Sequence, residues 1–160
     1  MCGISGFWRD SNDKSTDWLK EIAKNMADTL LHRGPDDCGT WVDQEVGVAF
    51  GHRRLSIIDV TDHGHQPMLS SNGGYVIIYN GEVYNFQELR QQLEKLGHRF
   101  EGHSDTEVML AAFVQWGVEA SVKKFNGMFA FAVWDRLDRR LWLARDRIGE
   151  KPLYYGVQNG

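Results

Sequence analysis

The sequence predicts an α+β fold in which antiparallel sheets carry helices on their faces. Short runs rich in β-branched and aromatic residues are separated by turn residues, and helical stripes with capping signals stand between some of them. The predicted order is one strand, one helix, several strands, two helices and then strands again. With 160 residues, the chain is long enough for one domain with one core.

The first two elements are a strand and a helix. The strand is MCGISGF, an alternating apolar run at the very start of the chain. The helix spans about 16 to 32, because apolar residues recur there at helical spacing. Ser15 or Thr16 is a suitable N-cap, and Gly34-Pro35 ends the helix.

Strands and one long loop follow this helix. TWVD and VGVAFGHRRLSIID are predicted strands around a Gln44-Glu45 turn, and YVIIYNGEVYN is a third, preceded by a Gly73-Gly74 turn. Residues 61–74 show no periodicity. Loops of this length in compact domains are often functional.

Two further helices have readable ends. FQELRQQLEKL and VMLAAFVQW both follow the spacing of a capping box and precede a glycine. The caps and terminating glycines are Asn85, Glu88 and Gly97 for the first helix, and Ser104, Glu107 and Gly117 for the second.

The chain then returns to strands. MFAFAVWD and RLWLARD are predicted to pair as a hairpin across the turn residues RLDR. The chain finishes with IGEKPLYYGVQNG.

Composition excludes several functional classes. The 18 basic and 22 acidic side chains give a net charge of −4, and no lysine or arginine cluster predicts nucleic acid as a partner. The longest apolar runs are far below the roughly 20 residues that cross a bilayer, and no signal peptide is recognisable, so no membrane association is predicted. Two cysteines, Cys2 and Cys38, are expected to be free thiols in a reducing cytoplasm.

Cys2 is a candidate nucleophile. Removal of Met1 would give Cys2 both a thiol and a free α-amino group. An N-terminal amine has an unperturbed pKa of about 7.7–8.0 and is an established base for such a nucleophile. A small apolar residue in a strand is an equally good account of this position taken alone.

Three other stretches carry candidate site residues. Arg54 could clamp a carboxylate, although most arginines lie on solvated surfaces. Asn80 and Gly81 could donate to an oxyanion, although Asn-Gly is also the commonest hairpin turn. Asp105 could meet a substrate ammonium, although a first-turn carboxylate is explained equally by helix capping.

Eight motifs together carry a resemblance. They are MCGISGF, HRGPDD, GHRRLSIID, QPM, YNGEVYN, HSDTE, NGMFAFAVWD and RDRIGEKPLYY, spread in this order over the whole chain. In this combination the sequence resembles the glutaminase domain of asparagine synthetase and its relatives, the class II glutamine amidotransferases. The resemblance implies a four-layer αββα sandwich of the N-terminal-nucleophile hydrolase type, with antiparallel sheets.

The resemblance also implies roles for individual residues. Cys2 would attack the side-chain amide of glutamine, form a thioester and release ammonia and then glutamate. Asn80 and Gly81 would stabilise the oxyanion as part of the catalytic machinery. The implied substrate-binding residues are Arg54 for the α-carboxylate, Leu55, Ser56, Ile57 and Ile58 along the pocket, Asn80 and Gly81 at the amide, and Glu82 and Asp105 for the α-ammonium.

No metal or cofactor is predicted for this domain. His63 and His65 lie two residues apart on a loop but lack further ligands at recognisable spacing. Cys38 is expected to be a small buried residue, and Arg53 a surface residue without a role.

The resemblance further implies a C-terminal ATP-dependent synthetase domain that uses the ammonia. No phosphate-binding motif of such a domain occurs in these 160 residues, so ATP and Mg²⁺ are expected only in that other domain. The sequence is expected to be a shortened glutaminase domain. Leu153, Tyr154 and Tyr155 are then expected to be exposed as an association surface, and a homodimer is compatible with this interpretation.

Two alternatives differ from a glutaminase. One is a regulatory or interaction domain that keeps the fold without turnover. The other is an N-terminal-nucleophile hydrolase that cuts a different amide. The acceptor of the ammonia, aspartate or another carboxylate, is left open by this half of the machinery.

Overall fold

The computed structural model describes residues 1–11, 13–56 and 61–158. Its elements in chain order are β1 (Gly3–Trp8), α1 (Thr16–Asp28), β2 (Asp37–Asp43), β3 (Val48–Arg54), β4 (Met68–Leu69), β5 (Tyr75–Val83), α2 (Phe86–Lys95), α3 (Asp105–Trp116), α4 (Val118–Lys124), β6 (Gly127–Asp135) and β7 (Arg140–Arg145). Two 3-10 turns lie at Leu31–Arg33 and Asp62–Gly64. The predicted α+β class is confirmed.

The strands form two antiparallel sheets. One has the order β1-β3-β2 and the other the order β4-β5-β6-β7. Strands β5 and β6 pair along nine residues each, from Tyr75 opposite Asp135 to Val83 opposite Gly127. The predicted hairpin of the last two strands is confirmed.

Three apolar clusters hold the helices and the two sheets together as layers. Helix α1 packs on the first sheet through Leu19 and Ala23, which meet Ala49 of β3. The two sheets face each other across Phe50 and Trp134, both fully buried. Helices α2 and α3 cover the far face of the second sheet. The order helix, sheet, sheet, helix confirms the predicted αββα layers.

Helix α1 is shorter than predicted. It ends at Asp28, where the Thr29 hydroxyl donates to the Met26 carbonyl at 2.7 Å, and the chain then tightens into the 3-10 turn Leu31–Arg33. This turn directs the Arg33 side chain toward the start of β1. The apolar stripe continues beyond Asp28 to Leu30 and Leu31, so periodicity alone placed the helix end too late.

One of the two predicted N-caps is present, at Ser104, while the Glu107 carboxylate accepts from the backbone N–H groups of Glu101 and Gly102 at 2.7 and 3.0 Å. The Ser104 side chain accepts a hydrogen bond from the backbone N–H of Glu107 at 3.3 Å. Asn85 makes no such cap, because its side chain bonds instead to the carbonyl of Lys124 and the N–H of Asn126. Asn85 therefore ties the start of α2 to the segment between α4 and β6. Helix α4 itself had not been predicted.

The loop at residues 61–74 and the C-terminal segment contain little regular structure. Residues 61–74 contain a 3-10 turn and the two-residue strand β4. Residues 146–158 contain no strand, because Asp146 folds the chain into a turn instead. Tyr154 and Tyr155 are 92% and 84% exposed, as predicted, while Leu153 is half-buried. No helix of the described residues is long and apolar enough to cross a membrane.

Candidate active site

One cavity of about 110 Å³ lies where β1, β3 and β5 meet the start of α3. Its walls are built by residues from distant parts of the chain. They are Met1, Cys2, Arg54, Leu55, Gly64, Gln66, Tyr79, Asn80, Gly81, Glu82, Ser104, Asp105, Thr106, Met128 and Lys151. Seven of the ten predicted site residues are among them.

Cys2 is held by the chain just after β3. It immediately precedes β1, which pairs with β3 up to Gly3 opposite Arg53. The backbone N–H of Leu55 lies 3.4 Å from the Cys2 sulfur, and the Leu55 carbonyl accepts from the thiol at 3.7 Å. A backbone N–H at this position favours negative charge on the sulfur.

Arg33 positions the backbone of Cys2. Its Nε donates to the Cys2 carbonyl oxygen at 3.2 Å from the turn that follows α1. The sequence interpretation gave Arg33 no role. The available signal was its place in the motif HRGPDD, which does not show that a side chain 31 positions away reaches Cys2.

Met1 and Lys151 meet at the mouth of the same cavity. The Met1 backbone precedes Cys2, so Cys2 has no free amine while Met1 is attached. Met1 is 55% exposed, and its sulfur accepts from the Lys151 ammonium at 2.9 Å. Lys151 is 5% exposed, and the sequence interpretation had not singled it out.

Asp146 explains how Lys151 reaches the cavity. Its carboxylate accepts from the backbone N–H groups of Phe129, Glu150 and Lys151 at 3.2, 2.8 and 2.9 Å. Burial raises the pKa of Asp146, but these backbone donors outweigh burial and hold the pKa below its usual value. The ionised side chain therefore fixes the turn in RDRIGEK against β6.

Arg54 lies at the end of β3 with its guanidinium in the cavity wall. It is 7% exposed, and its Nη1 donates to the Thr61 carbonyl at 2.8 Å. A Cβ at Gly64 would lie 1.8 Å from Arg54 Nη2, so only glycine leaves room for this guanidinium. The loop that begins at Thr61 thus holds the cation in place.

The backbone N–H of Gly81 faces the cavity. In β5 the Tyr75 carbonyl accepts from Ser70, and the Tyr79 N–H donates to Gln66 Oε1 at 2.7 Å. Odd-numbered residues of β5 therefore direct their backbone groups toward the β4 side. Gly81 has the same parity and lies beyond the end of β4, so its N–H points to the open edge where the cavity lies.

Asn80 and Gly81 stand together at this edge. Asn80 is 5% exposed and lines the cavity. A Cβ at Gly81 would lie 2.2 Å from the Met128 carbonyl oxygen of β6, so no side chain fits there. An amide side chain and an unhindered backbone N–H at one place are suitable oxyanion donors. The pair lies within β5, which removes the alternative of a hairpin turn.

Asp105 is a buried carboxylate at the start of α3. It is 4% exposed, and its Oδ2 accepts from the Tyr79 hydroxyl at 2.6 Å and from the Val83 N–H at 2.9 Å. Burial raises the pKa of Asp105, although these donors oppose the effect, and nearby Glu82 raises the pKa further. Burial also raises the pKa of Tyr79 well above its usual value, so Tyr79 remains a donor.

The other predicted pocket residues divide into three groups. Glu82 and Leu55 are half-buried and line the cavity. Ser56 does not line it, and its N–H donates instead to Asp36 Oδ2 at 2.8 Å. Ile57 and Ile58 lie outside the described residues.

His52 connects the two sheets beneath the cavity. It is fully buried on β3, and its Nε2 contacts the Tyr79 carbonyl of β5 at 3.1 Å. Burial lowers the pKa of His52 to about 4, so the imidazole is neutral at physiological pH and donates through Nε2. Tyr79 is thus held through its N–H, its carbonyl and its hydroxyl.

Two expectations about neighbouring residues are wrong. Arg53 is not a free surface residue, because its side chain is 13% exposed and forms an ion pair with Asp28 of α1. Cys38 is exposed, since it lies on β2 at the edge of its sheet. Both cysteines are free thiols. His65 contacts Asp37 at 2.7 Å, and within the described residues no three His, Cys, Asp or Glu side chains form a metal site.

Comparison with known proteins gives relatives over the whole chain. "Asparagine synthetase (glutamine-hydrolyzing) 3" of Bacillus subtilis is 47% identical over 157 residues, which cover 97% of this chain and 25% of the relative. "Asparagine synthetase (glutamine-hydrolyzing) 1" of the same organism is 46% identical over 159 residues, with 99% and 24% covered. The chain therefore spans about a quarter of the length of these relatives.

A solved structure and a family model also match. The glutamine phosphoribosylpyrophosphate amidotransferase of B. subtilis aligns over 57% of this chain and 22% of its own, with 29% identity and a TM-score of 0.49. The family model described as a glutamine amidotransferase domain matches residues 1–160. A cysteine at position 2 and a match that runs from the first residue to the last leave one conclusion: this chain belongs to the glutamine amidotransferase domain family.

Proposed function

We propose that this chain hydrolyses glutamine to glutamate and ammonia, with Cys2 as the nucleophile once Met1 has been removed. The observation that carries the proposal is the common cavity. Cys2, Arg54, the Asn80-Gly81 pair and Asp105 all line one space of about 110 Å³. These groups match the thiol, the two counter-charges and the oxyanion donors that the reaction needs.

Binding would use both charged ends of glutamine. The guanidinium of Arg54 pairs with the α-carboxylate, and the carboxylates of Asp105 and Glu82 receive the α-ammonium. A site with buried charges discriminates strongly against ligands that leave those charges unpaired. The zwitterionic head group thereby fixes where the side-chain amide lies.

The first chemical step would be attack on that amide. The α-amine of mature Cys2 takes the thiol proton, and the sulfur forms a bond to the amide carbon. The Leu55 N–H, 3.4 Å from the sulfur, stabilises the thiolate. The carbonyl oxygen becomes an oxyanion, to which Asn80 and the Gly81 N–H donate.

Two further steps would complete the reaction. The protonated amine of Cys2 gives its proton to the leaving nitrogen, the carbon–nitrogen bond breaks and ammonia departs, which leaves a thioester. The same amine then takes a proton from water, whose oxygen attacks the thioester carbon. The carbon–sulfur bond breaks, and glutamate and the thiol are formed. These steps use only side-chain and backbone groups of this chain.

The ammonia is proposed to serve an amidation. The matched relatives are named asparagine synthetases and are about four times as long as this chain. We therefore propose a C-terminal synthetase domain as partner, which uses ATP and Mg²⁺ to convert aspartate to asparagine. A cytoplasmic location and a homodimer stay predictions.

The test measures glutamate release from glutamine by protein whose Met1 removal has been verified by intact mass. Cys2→Ala is expected to abolish release, and an electrophilic diazoketone analogue of glutamine is expected to add one label at Cys2. Cys38→Ala is the matched control, because Cys38 is a free thiol outside the cavity. Equal release with Cys2 absent, or with Met1 still attached, would contradict the proposal.

A further inference from the structure

A buried tyrosine joins the two ends of the cavity. The hydroxyl of Tyr79 donates to Asp105 Oδ2 at 2.6 Å, and the next residue in the chain is Asn80. We infer that Tyr79 is a positioning residue that orients Asp105 toward the α-ammonium of glutamine and so makes the site selective for α-amino substrates. This inference rests on the proposed glutaminase function.

The carboxylate of Asp105 is held asymmetrically. Its Oδ2 accepts both from the Tyr79 hydroxyl and from the Val83 N–H, at 2.6 and 2.9 Å. A carboxylate has about four acceptor positions, two on each oxygen. Tyr79 and Val83 occupy both positions of Oδ2, and the Thr106 N–H is a further backbone donor to the carboxylate. About one position, on Oδ1, is then left for a ligand in the cavity that Asp105 lines.

The position of Tyr79 is itself fixed by its backbone. Its N–H donates to Gln66 Oε1 at 2.7 Å, and its carbonyl contacts His52 Nε2 at 3.1 Å. Tyr79 is 3% exposed. A side chain anchored in this way holds its hydroxyl in one place, which a mobile tyrosine would not do.

The protonation states fit this role. Burial raises the pKa of Tyr79 well above its usual value, so the phenol keeps its proton over the working range. The hydrogen bond from Tyr79 lowers the pKa of Asp105 and so opposes the effect of burial. Tyr79 therefore favours the charged carboxylate that an ammonium needs.

The test compares two ligands in the purified protein with Met1 removed. Glutamine carries the α-ammonium, and 5-amino-5-oxopentanoate is the same molecule without the α-amino group. Tyr79→Phe is expected to raise KM for glutamine about tenfold with kcat within about twofold, the effect of losing one hydrogen bond to a charged group. The inhibition constant of 5-amino-5-oxopentanoate is expected to stay within about twofold.

Tyr75→Phe is the matched control. Tyr75 lies on the same strand and bonds to Asp135, at the far end of β5 from the cavity. The two tyrosines are four positions apart in the strand, which places their Cα atoms about 13 Å from each other. This variant also removes a hydrogen bond between a tyrosine of β5 and an aspartate. It is expected to change neither the KM for glutamine nor the inhibition constant of 5-amino-5-oxopentanoate.

A double-mutant cycle gives a second readout with glutamine alone. In an Asp105→Asn background, Tyr79→Phe is expected to raise KM less than twofold further, because the charge that Tyr79 orients is gone. An equal rise in both backgrounds would overturn the inference. The inference would also be overturned if Tyr79→Phe weakened the binding of glutamine and of 5-amino-5-oxopentanoate equally, or weakened the binding of neither. A wild-type protein that releases no glutamate would instead contradict the proposed function.

Discussion

The Nε atom of Arg33 lies 3.2 Å from the carbonyl oxygen of Cys2 and donates a hydrogen bond to it. This contact ties the turn after α1 to the residue that carries the nucleophile. We expect Arg33→Met to lower kcat by about tenfold to a hundredfold, because a displacement of about 1 Å at a reacting atom costs that much. Glutamate release and far-UV circular dichroism measure the effect. Arg140→Met, at an exposed position, is the control; loss of kcat in both variants would contradict the assignment.

Gly64 is expected to control glutamine binding through Arg54. A Cβ at Gly64 would lie 1.8 Å from Arg54 Nη2, at the end of a side chain that can move away. Gly64→Ala should therefore leave the fold intact but displace the guanidinium, which raises KM for glutamine by at least about tenfold. Gly156→Ala is the control, because a Cβ at Gly156 would have no heavy atom within 4 Å beyond its chain neighbours. An unchanged KM in Gly64→Ala would show that Arg54 does not hold the substrate carboxylate.

Asp105 is expected to lower the stability of the folded protein at neutral pH, although its charge is needed to bind glutamine. Because burial raises the pKa of this carboxyl, the folded protein binds its proton more tightly than the unfolded chain. Its contribution to stability is full below the unfolded pKa and is lost as pH rises through the folded pKa. At neutral pH Asp105→Asn should therefore raise Tm by roughly 2–4 °C, the shift that about 1 kcal/mol gives in a domain of this size.

The same variant should lose glutamine affinity. The amide oxygen of the new side chain still accepts from Tyr79 and Val83, but of the two charges proposed for the α-ammonium only that of Glu82 is left. Thermal unfolding at pH 7.5 and at pH 3.5 checks the stability difference, which should shrink at the lower pH. A lower Tm at neutral pH would contradict the argument.

His52 is expected to make the domain sensitive to acid. Burial lowers its pKa from 6.5 to about 4, so the unfolded chain binds more protons between these values. The stability that His52 contributes is present above pH 6.5 and is lost as pH falls through 4, by about 3 kcal/mol in total. Urea unfolding at several pH values between 7 and 4 measures the slope.

His52→Gln isolates this effect. The amide of the substituted side chain still donates toward the Tyr79 carbonyl, but it does not titrate. The free energy of unfolding should therefore depend less on pH. His63→Gln replaces an exposed histidine and should keep the wild-type slope. Equal slopes in all three proteins would show that other groups cause the acid sensitivity.

The sequence predicted the elements well where local signals decide them. The Ser104 cap, the turn between β6 and β7 and the run of β-branched and aromatic residues in β5 are all properties of neighbouring residues, and the structure confirms them. The predicted end of α1 was wrong because the bond from the Thr29 hydroxyl to the Met26 carbonyl, which closes the helix, is not visible in apolar periodicity. The predicted Asn85 cap was wrong because its side chain bonds to Lys124 and Asn126, 39 and 41 positions away.

The candidate site shows the same division. The motifs brought out Cys2, Arg54, Asn80 and Asp105, and the structure places all four at one cavity. Their supporting residues were not found. Arg33 acts through a backbone carbonyl, and Tyr79 acts through the carboxylate of another residue. Neither relationship leaves a spacing or composition signal in the sequence.

The exposure of Met1 has a consequence for when the enzyme can become active. More than half of this residue is open to solvent, and its side chain touches the protein through the Lys151 ammonium. We therefore expect an aminopeptidase to reach Met1 on the finished fold. Removal of Met1 then need not occur during synthesis. Adding an aminopeptidase to the folded, unprocessed protein is expected to start glutamine hydrolysis in vitro.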